Sequence, residues 1–318
     1  VYLQEVVEME VALLASALAV GCLLAVQAAA NQQLNKAVGT PYGASTLQLS
    51  AAAAALAALA LAAGALGAVR QVAEVEHWWL LVGGVASPIY ITAGILLFPR
   101  LGALNTVGLF VTGQVVASIV LDLLGILAVP QQAVGPGIVL GAAAVLAGIT
   151  VTIRGLQQGS AAATQLAAQP GWLALGVVAG AVLPFQGAIN AQLKRDVGEP
   201  LAVGTISFVV ATLTIAVVLV VLVVLRRTPV PRVAPLRGMP WWGWLGGLCA
   251  ATYVTVTFLL MPRIGAAVTV ALTVTGQQLA SALIDQYGWF QMPRRATTGP
   301  RLVGLGLLMA GSALVQLA

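Results

Sequence analysis

Ten long apolar runs, separated by clusters of Pro, Gly and charge, organise the chain: 11–34, 43–67, 78–98, 103–122, 134–153, 172–193, 201–225, 241–261, 266–286 and 301–317. A hydrocarbon core about 30 Å thick is crossed by roughly 20 helical residues at 1.5 Å each, so every run is long enough to span it. Backbone amides in lipid must bond within their own segment or within a closed barrel. Barrel strands alternate polar and apolar residues, whereas Ala51–Ala55 and Val217–Val224 are continuously apolar. The pattern predicts an all-α membrane protein with ten transmembrane helices.

Polar residues inside these runs repeat in order. Gln27, Asn31, Leu34, Gly39 and Pro41 recur as Gln186, Asn190, Leu193, Gly198 and Pro200, a shift of 159 (186 − 27). Trp78-Trp79, Gly83-Gly84, Tyr90, Pro99-Arg100 and Gly102 recur as Trp241-Trp242, Gly246-Gly247, Tyr253, Pro262-Arg263 and Gly265. Thr112-Gly113-Gln114, Ser118, Asp122 and Gly125 recur as Thr275-Gly276-Gln277, Ser281, Asp285 and Gly288, and these later matches share a shift of 163 (277 − 114). The extra residues fall in the loop carrying Arg226 to Arg237. Such periodicity marks a duplicated unit. Two five-helix repeats are expected, residues 1–157 and 158–318. With an odd number of spans the second enters the membrane from the opposite side, giving inverted repeats about an axis in the membrane plane.

Composition narrows the class. Of 318 residues, 60% are hydrophobic and 7% charged, too few charges to coat a water-facing domain. The net charge of +5 comes from 14 basic residues set in short loops, which argues against nucleic acid as a partner. Ten basic residues follow odd-numbered helices and four follow even-numbered ones; that bias places both termini outside an inner or plasma membrane. The acidic start, Val1 to Glu10, is unlike a signal peptide, so the first run is expected to remain as a helix. Trp78, Trp79, Trp172, Trp241, Trp242 and Trp289 fall near helix ends, as an interfacial belt does. Cys22 and Cys249 lie within apolar runs and His77 in a loop. They make neither a disulfide framework nor a metal or triad constellation, so neither metal nor cofactor is expected.

Intramembrane polar groups are the functional candidates. Gln27 and Asn31 share one face of the first helix, and Gln186 and Asn190 repeat this on the sixth. Their amides either meet a solute or cross-link neighbouring helices. Gln114, Ser118 and Asp122 form a stripe at steps of four on the fourth helix, as Gln277, Ser281 and Asp285 do on the ninth. Asp122 and Asp285 are the carboxylates within apolar segments: either they exchange a proton or cation during transport, or they pair with a loop arginine such as Arg226 or Arg227. Tyr90 and Tyr253 place hydroxyls in the third and eighth helices, lining a site or bonding a carbonyl. Gly83-Gly84, Gly246-Gly247 and the glycines around 141–148 and 304–311 suit close helix packing. Pro88 and Pro184 interrupt the backbone ladder of their helices, as local kinks. Pro99-Arg100-x-Gly102 and its repeat fit tight turns, and Arg100 and Arg263 either anchor the chain at the interface or gate a solute or hold lipid phosphate.

The sequence resembles a known family. Gly21, Gln27, Asn31, Gly39-x-Pro41, Trp78-Trp79, Gly83-Gly84, Pro99-Arg100-x-Gly102, Gly113-Gln114 and Asp122-x2-Gly125 are similar to the YdcZ-like inner-membrane exporters of the drug/metabolite transporter superfamily. The second copy matches through Gln186, Asn190, Pro262-Arg263, Gly276-Gln277, Ser281, Asp285-x2-Gly288 and Pro293-Arg294-Arg295. The resemblance covers nearly the whole chain, in a fused two-repeat form of units that often occur singly. It implies the EamA-like fold and a central cavity lined by the first, third and fourth helices of each copy. Gln27, Asn31, Tyr90, Gln114, Ser118, Gln186, Asn190, Tyr253, Gln277 and Ser281 are then cavity residues. The first helix lacks the buried Glu that small multidrug exporters of the superfamily use for proton exchange.

These features point to a secondary transporter exporting a small polar or amphipathic metabolite by alternating access. A non-transporting structural or lipid-binding membrane protein is the alternative. A lipid-acting enzyme would need a nucleophile or metal constellation that one His and two isolated Cys do not supply. The expected partners are the solute and membrane lipid. The repeats are compatible with a monomer carrying an internal pseudo-twofold, and the sequence does not fix the oligomeric state.

Overall fold

The computed structural model describes residues 2–127, 135–157, 169–264 and 266–317. They form ten α-helices: α1 (Tyr2–Val38), α2 (Pro41–Ala62), α3 (Ala86–Leu101), α4 (Ala103–Leu124), α5 (Pro136–Gln157), α6 (Pro170–Val197), α7 (Pro200–Val224), α8 (Leu245–Ile264), α9 (Ala266–Tyr287) and α10 (Gly299–Leu317). Seven segments are long and apolar enough to cross a membrane by this description: Glu8–Val38, Pro41–Ala62, Trp78–Leu101, Ala103–Leu124, Pro136–Gly155, Pro170–Val197 and Pro200–Val224. Helices α8 and α9, 20 and 22 residues long, flank Gly265, which lies outside the described residues, as does the 158–168 segment next to the expected repeat boundary.

The breaks follow backbone chemistry. Gly39, Gly102, Gly125, Gly198 and Gly288 take positive φ at helix ends, where a side chain is disfavoured. Pro41, Pro136, Pro170 and Pro200 open their helices, where a missing N–H costs nothing. Pro88 falls in the first turn of α3, just past its junction with the 3-10 segment Trp78–Val85, whereas Pro184 sits inside α6. α3 continues through Pro99 and stops at Gly102, so the first Pro-Arg turn is a helix end. The paired Trp78-Trp79 and Trp241-Trp242 begin short 3-10 segments, Trp78–Val85 and Trp241–Trp244, that lead into α3 and α8.

Packing between the two halves is reciprocal. α1 lies against α8 and α9, as α6 lies against α3 and α4, while α2 meets α7 and α5 meets α10. As α5 passes Gly141, Gly148 and Gly155, the facing atoms come from Gly311 and Val315, then Gly304 and Leu308, then Pro300 and Arg301. These two helices therefore run antiparallel. Gly21 faces Thr273 and Gln33 reaches Phe290, so α1 and α9 run in the same direction. Thr40 at the head of α2 bonds Thr228 beyond the tail of α7 at 2.7 Å, an antiparallel pair.

Glycine sets how closely the crossings approach. A Cβ on Gly21 would overlap Thr273 and one on Gly276 would overlap Leu18, while Gly180 and Gly113 stand in the same relation to Phe110 and Val177. Dispersion and small faces drive helix association where lipid is as apolar as the partner. The main buried cluster joins both halves through Leu49, Leu56, Phe98, Phe110, Phe208 and Ile284. Outward faces are apolar, with Leu213, Val217, Val220 and Leu259 exposed. Trp78 and Trp241 are exposed near helix ends, as an interfacial belt requires.

Candidate functional site

Each half carries an amide cluster built from its own first two helices and the third-position helix of the other half. In the first cluster, Gln27 and Asn31 on α1 and Gln48 on α2 are at most 4% exposed. Asn31 Oδ1 and the Gln48 side chain close over Gly246 at the head of α8, where a Cβ would collide with both, and Gln48 Nε2 donates to the Gly246 carbonyl at 3.3 Å. In the second, Gln186 and Asn190 on α6 are half-buried. Gln186 Nε2 donates to Ser87 Oγ at 2.8 Å and Ser207 Oγ at 3.3 Å; Asn190 Nδ2 also donates to Ser207 Oγ, at 3.2 Å. Asn190 Oδ1 sits over Gly83 as Asn31 Oδ1 sits over Gly246. The twin glycines, expected only to allow packing, thus also admit the asparagines.

The stripes on α4 and α9 differ in the same sense. Gln277, Ser281 and Asp285 are at most 1% exposed, whereas Gln114, Ser118 and Asp122 are half-buried. Gln277 Nε2 donates to the Tyr90 hydroxyl at 2.7 Å, which ties α9 to α3. Tyr253 bonds Thr273 instead of Gln114. Tyr90 also packs on Phe110, ring centroids 4.5 Å apart.

Asp285 is held by a partner other than the expected one. Its carboxylate accepts from the backbone N–H of Ala103 at 2.8 Å and Leu104 at 3.2 Å, capping α4, and from Arg301 Nη2 at 2.6 Å. A carboxylate at a helix N-terminus satisfies donors that otherwise lack partners. Arg301, expected in a loop, lies in the first turn of α10 and is 2% exposed. The pairing with Arg226 or Arg227 is therefore corrected: both are exposed beyond the end of α7. Asp122, at the opposite end of the α4–α9 pair, has no ion pair among the described residues. Outside the spans, Arg295 donates to the Pro99 and Arg100 carbonyls at 3.0 and 3.2 Å. Burial pulls its guanidinium below the usual arginine range, against the opposing pull of the nearby Asp285 carboxylate. Arg100 lies 4.3 Å from the centre of the Trp172 ring, a cation–π contact.

Gln48, Ser87, Ser207 and Arg301 were not among the sequence candidates. Gln48 is a polar residue in an apolar run, but its equivalent position in the second copy is Ser207 (48 + 159), so repetition did not mark it. A cavity of about 480 Å³ lies away from these clusters, at the loop end near Glu74, Glu76, His77, Trp79, Arg195 and Asp196. Among the described residues no group of His, Cys, Asp and Glu has the arrangement of a metal site, and Cys22 and Cys249 are free thiols.

Apolar helices packed through glycine, with amides and hydroxyls between them and one carboxylate stripe in each half, form a multi-pass membrane protein. A family model described as "Putative inner membrane exporter, YdcZ" matches residues 12–151 and again 171–314, and the chain belongs to that family. No curated protein matches. A solved structure titled only "Crystal structure of protein" is similar in fold: 18% identity, 95% of this chain and 97% of that chain covered, TM-score 0.58.

Proposed function

We propose that this transporter exports a small polar or amphipathic metabolite by alternating access between two inverted five-helix repeats, residues 1–157 and 158–318. The observation that carries this reading is the unequal burial of equivalent groups. Gln27, Asn31, Gln277, Ser281 and Asp285 are buried; Gln186, Asn190, Gln114, Ser118 and Asp122 are half-buried. Two halves of like sequence in unlike environments are two arrangements of one unit, and exchanging them exposes the other face. The reciprocal packing, with α5 antiparallel to its equivalent α10, supports an axis lying across the helices.

The solute site is assigned to Gln27, Asn31, Tyr90, Gln114, Ser118, Gln186, Asn190, Tyr253, Gln277 and Ser281, with Asp122 and Asp285 as coupling carboxylates. The excess of basic residues in loops after odd-numbered helices favours an orientation with both termini outside. Reconstituted into proteoliposomes, the protein is expected to give solute flux that Gln114→Leu with Gln277→Leu abolishes while folded protein is retained. Asp122→Asn and Asp285→Asn should flatten its pH dependence. Absence of flux for any small polar solute would favour a structural or lipid-binding role, and flux insensitive to both glutamines would remove them from the site.

A further inference from the structure

We infer that, within this site, selectivity rests on a carboxamide triad in the first half, Gln27, Asn31 and Gln48, and that the triad selects an uncharged group carrying a donor and an acceptor side by side, such as an amide or lactam edge. This deepens the export reading and rests on it.

The two amide clusters occupy equivalent places yet differ in what they have left over. In the second half, Ser207 accepts from both Gln186 and Asn190, and Ser87 bonds Gln186 as well. The amide nitrogens are spent on holding α6 to α7 and the head of α3, which is the cross-linking role, and a single oxygen, Asn190 Oδ1, is left over there. In the first half, glutamine stands where Ser207 would be. Gln48 turns its amide nitrogen to the Gly246 carbonyl. Among the described residues no hydrogen bond reaches Gln27 Oε1, Asn31 Oδ1 or Gln48 Oε1, although the three side chains are 4%, 2% and 1% exposed. Buried polar atoms without partners are rare and costly, and sites that bind ligand are where they persist.

The chemistry of the triad fixes the class of ligand. A carboxamide presents one acceptor and one donor group in a plane, so it pairs two-fold with a matching donor–acceptor edge. No ionisable side chain bonds the triad among the described residues, so a charged group placed there would be desolvated without compensation. An uncharged edge enters without that penalty. Gln48 is the residue that makes the halves unequal, and so it is a specificity residue that the repeat pattern conceals.

The test uses purified full-length protein in detergent and two matched pairs of probes, nicotinamide against nicotinate and uracil against orotate. Thermal unfolding is followed by tryptophan fluorescence, because a ligand bound to the native state raises the midpoint. A concentration-dependent rise is expected with nicotinamide or uracil and none with the anionic partner. Gln48→Leu should abolish the rise while leaving the ligand-free midpoint close to the parent's, since it removes an oxygen that has no partner together with the 3.3 Å bond to the Gly246 carbonyl, two effects of opposite sign. Gln192→Leu, which lies outside the site and loses only a bond to the Leu127 carbonyl, should retain the rise. A shift that survives Gln48→Leu, a shift from the anions alone, or no shift from any of the four would overturn the assignment. Because binding is read without flux, loss of the export reading would appear separately, as a triad that binds in a protein that carries nothing across liposomes.

Discussion

Arg301 and Asp285 form an ion pair of 2.6 Å in which both side chains are nearly sealed from solvent, and the same carboxylate caps the first two N–H groups of α4. Three elements, the tail of α9 and the heads of α4 and α10, thereby share one charge. Such a pair is not a strong stabiliser relative to an apolar replacement, but losing one member strands the other. Arg301→Met is expected to cost about 3–5 kcal/mol by that argument, read as a fall in the unfolding midpoint. Restoring charge balance with Asp285→Asn in the same chain should recover part of it. A single variant as stable as the parent would show that the carboxylate is satisfied by α4 alone.

The glycines of the α1–α9 and α4–α6 crossings predict a graded response. Gly180 and Gly276 have no room for a Cβ, since the backbone of Phe110 and of Leu18 already occupies the place. Backbone cannot swing aside as a side chain does. Gly180→Ala and Gly276→Ala are expected to lower stability by about 1–3 kcal/mol, the ordinary cost of overpacking. Gly187 lies in the same α6 with open space around its Cβ position. Gly187→Ala should raise stability by up to about 1 kcal/mol through helix propensity alone. Midpoints that move together for all three variants would contradict close packing at the crossings.

Helix ends were legible because glycine and proline announce them chemically: Gly39-x-Pro41 and Gly198-x-Pro200 each stop one helix and start the next. The polar stripes were legible too, because Gln277, Ser281 and Asp285 stand out in an apolar run and recur. Their partners were not. Asp285 had several basic residues to choose from, and nothing local distinguishes Arg301, 16 residues on, from Arg226 or Arg227; only the fold of the 288–298 loop brings α10 back to α9. Gln48 escaped for the opposite reason, having no copy to draw attention to it. The difference in burial between the halves was invisible in principle, since near-identical motifs encode both environments.

Tyr90 shows how one equivalent pair became unequal. Gln277 donates to its hydroxyl, whereas Tyr253 bonds Thr273 and leaves Gln114 half-buried without that contact. Removing an acceptor from a buried amide costs about 1–3 kcal/mol. Tyr90→Phe is therefore expected to destabilise by that amount, and Tyr90→Phe combined with Gln277→Leu by less, since no amide is then stranded. Equal losses in the single and double variants, measured by chemical denaturation in detergent, would mean that the bond contributes nothing beyond packing.

Solvent access along α4 and α9 tests the unequal halves directly. Ser118 is half-buried one turn from Asp122, while Ser281 is wholly buried one turn from Asp285. With Cys22 and Cys249 replaced by alanine, Ser118→Cys should react with a membrane-impermeant maleimide and Ser281→Cys should resist it. Adding Asp285→Asn weakens the contact between α9 and the head of α4, and in a protein that alternates between two packings it raises the population with Ser281 exposed. Labelling at position 281 should then increase several-fold while labelling at position 118 falls. If both positions gain reactivity together, the variant has loosened the bundle rather than shifted it, and Asp285 is a structural clasp with no part in the exchange.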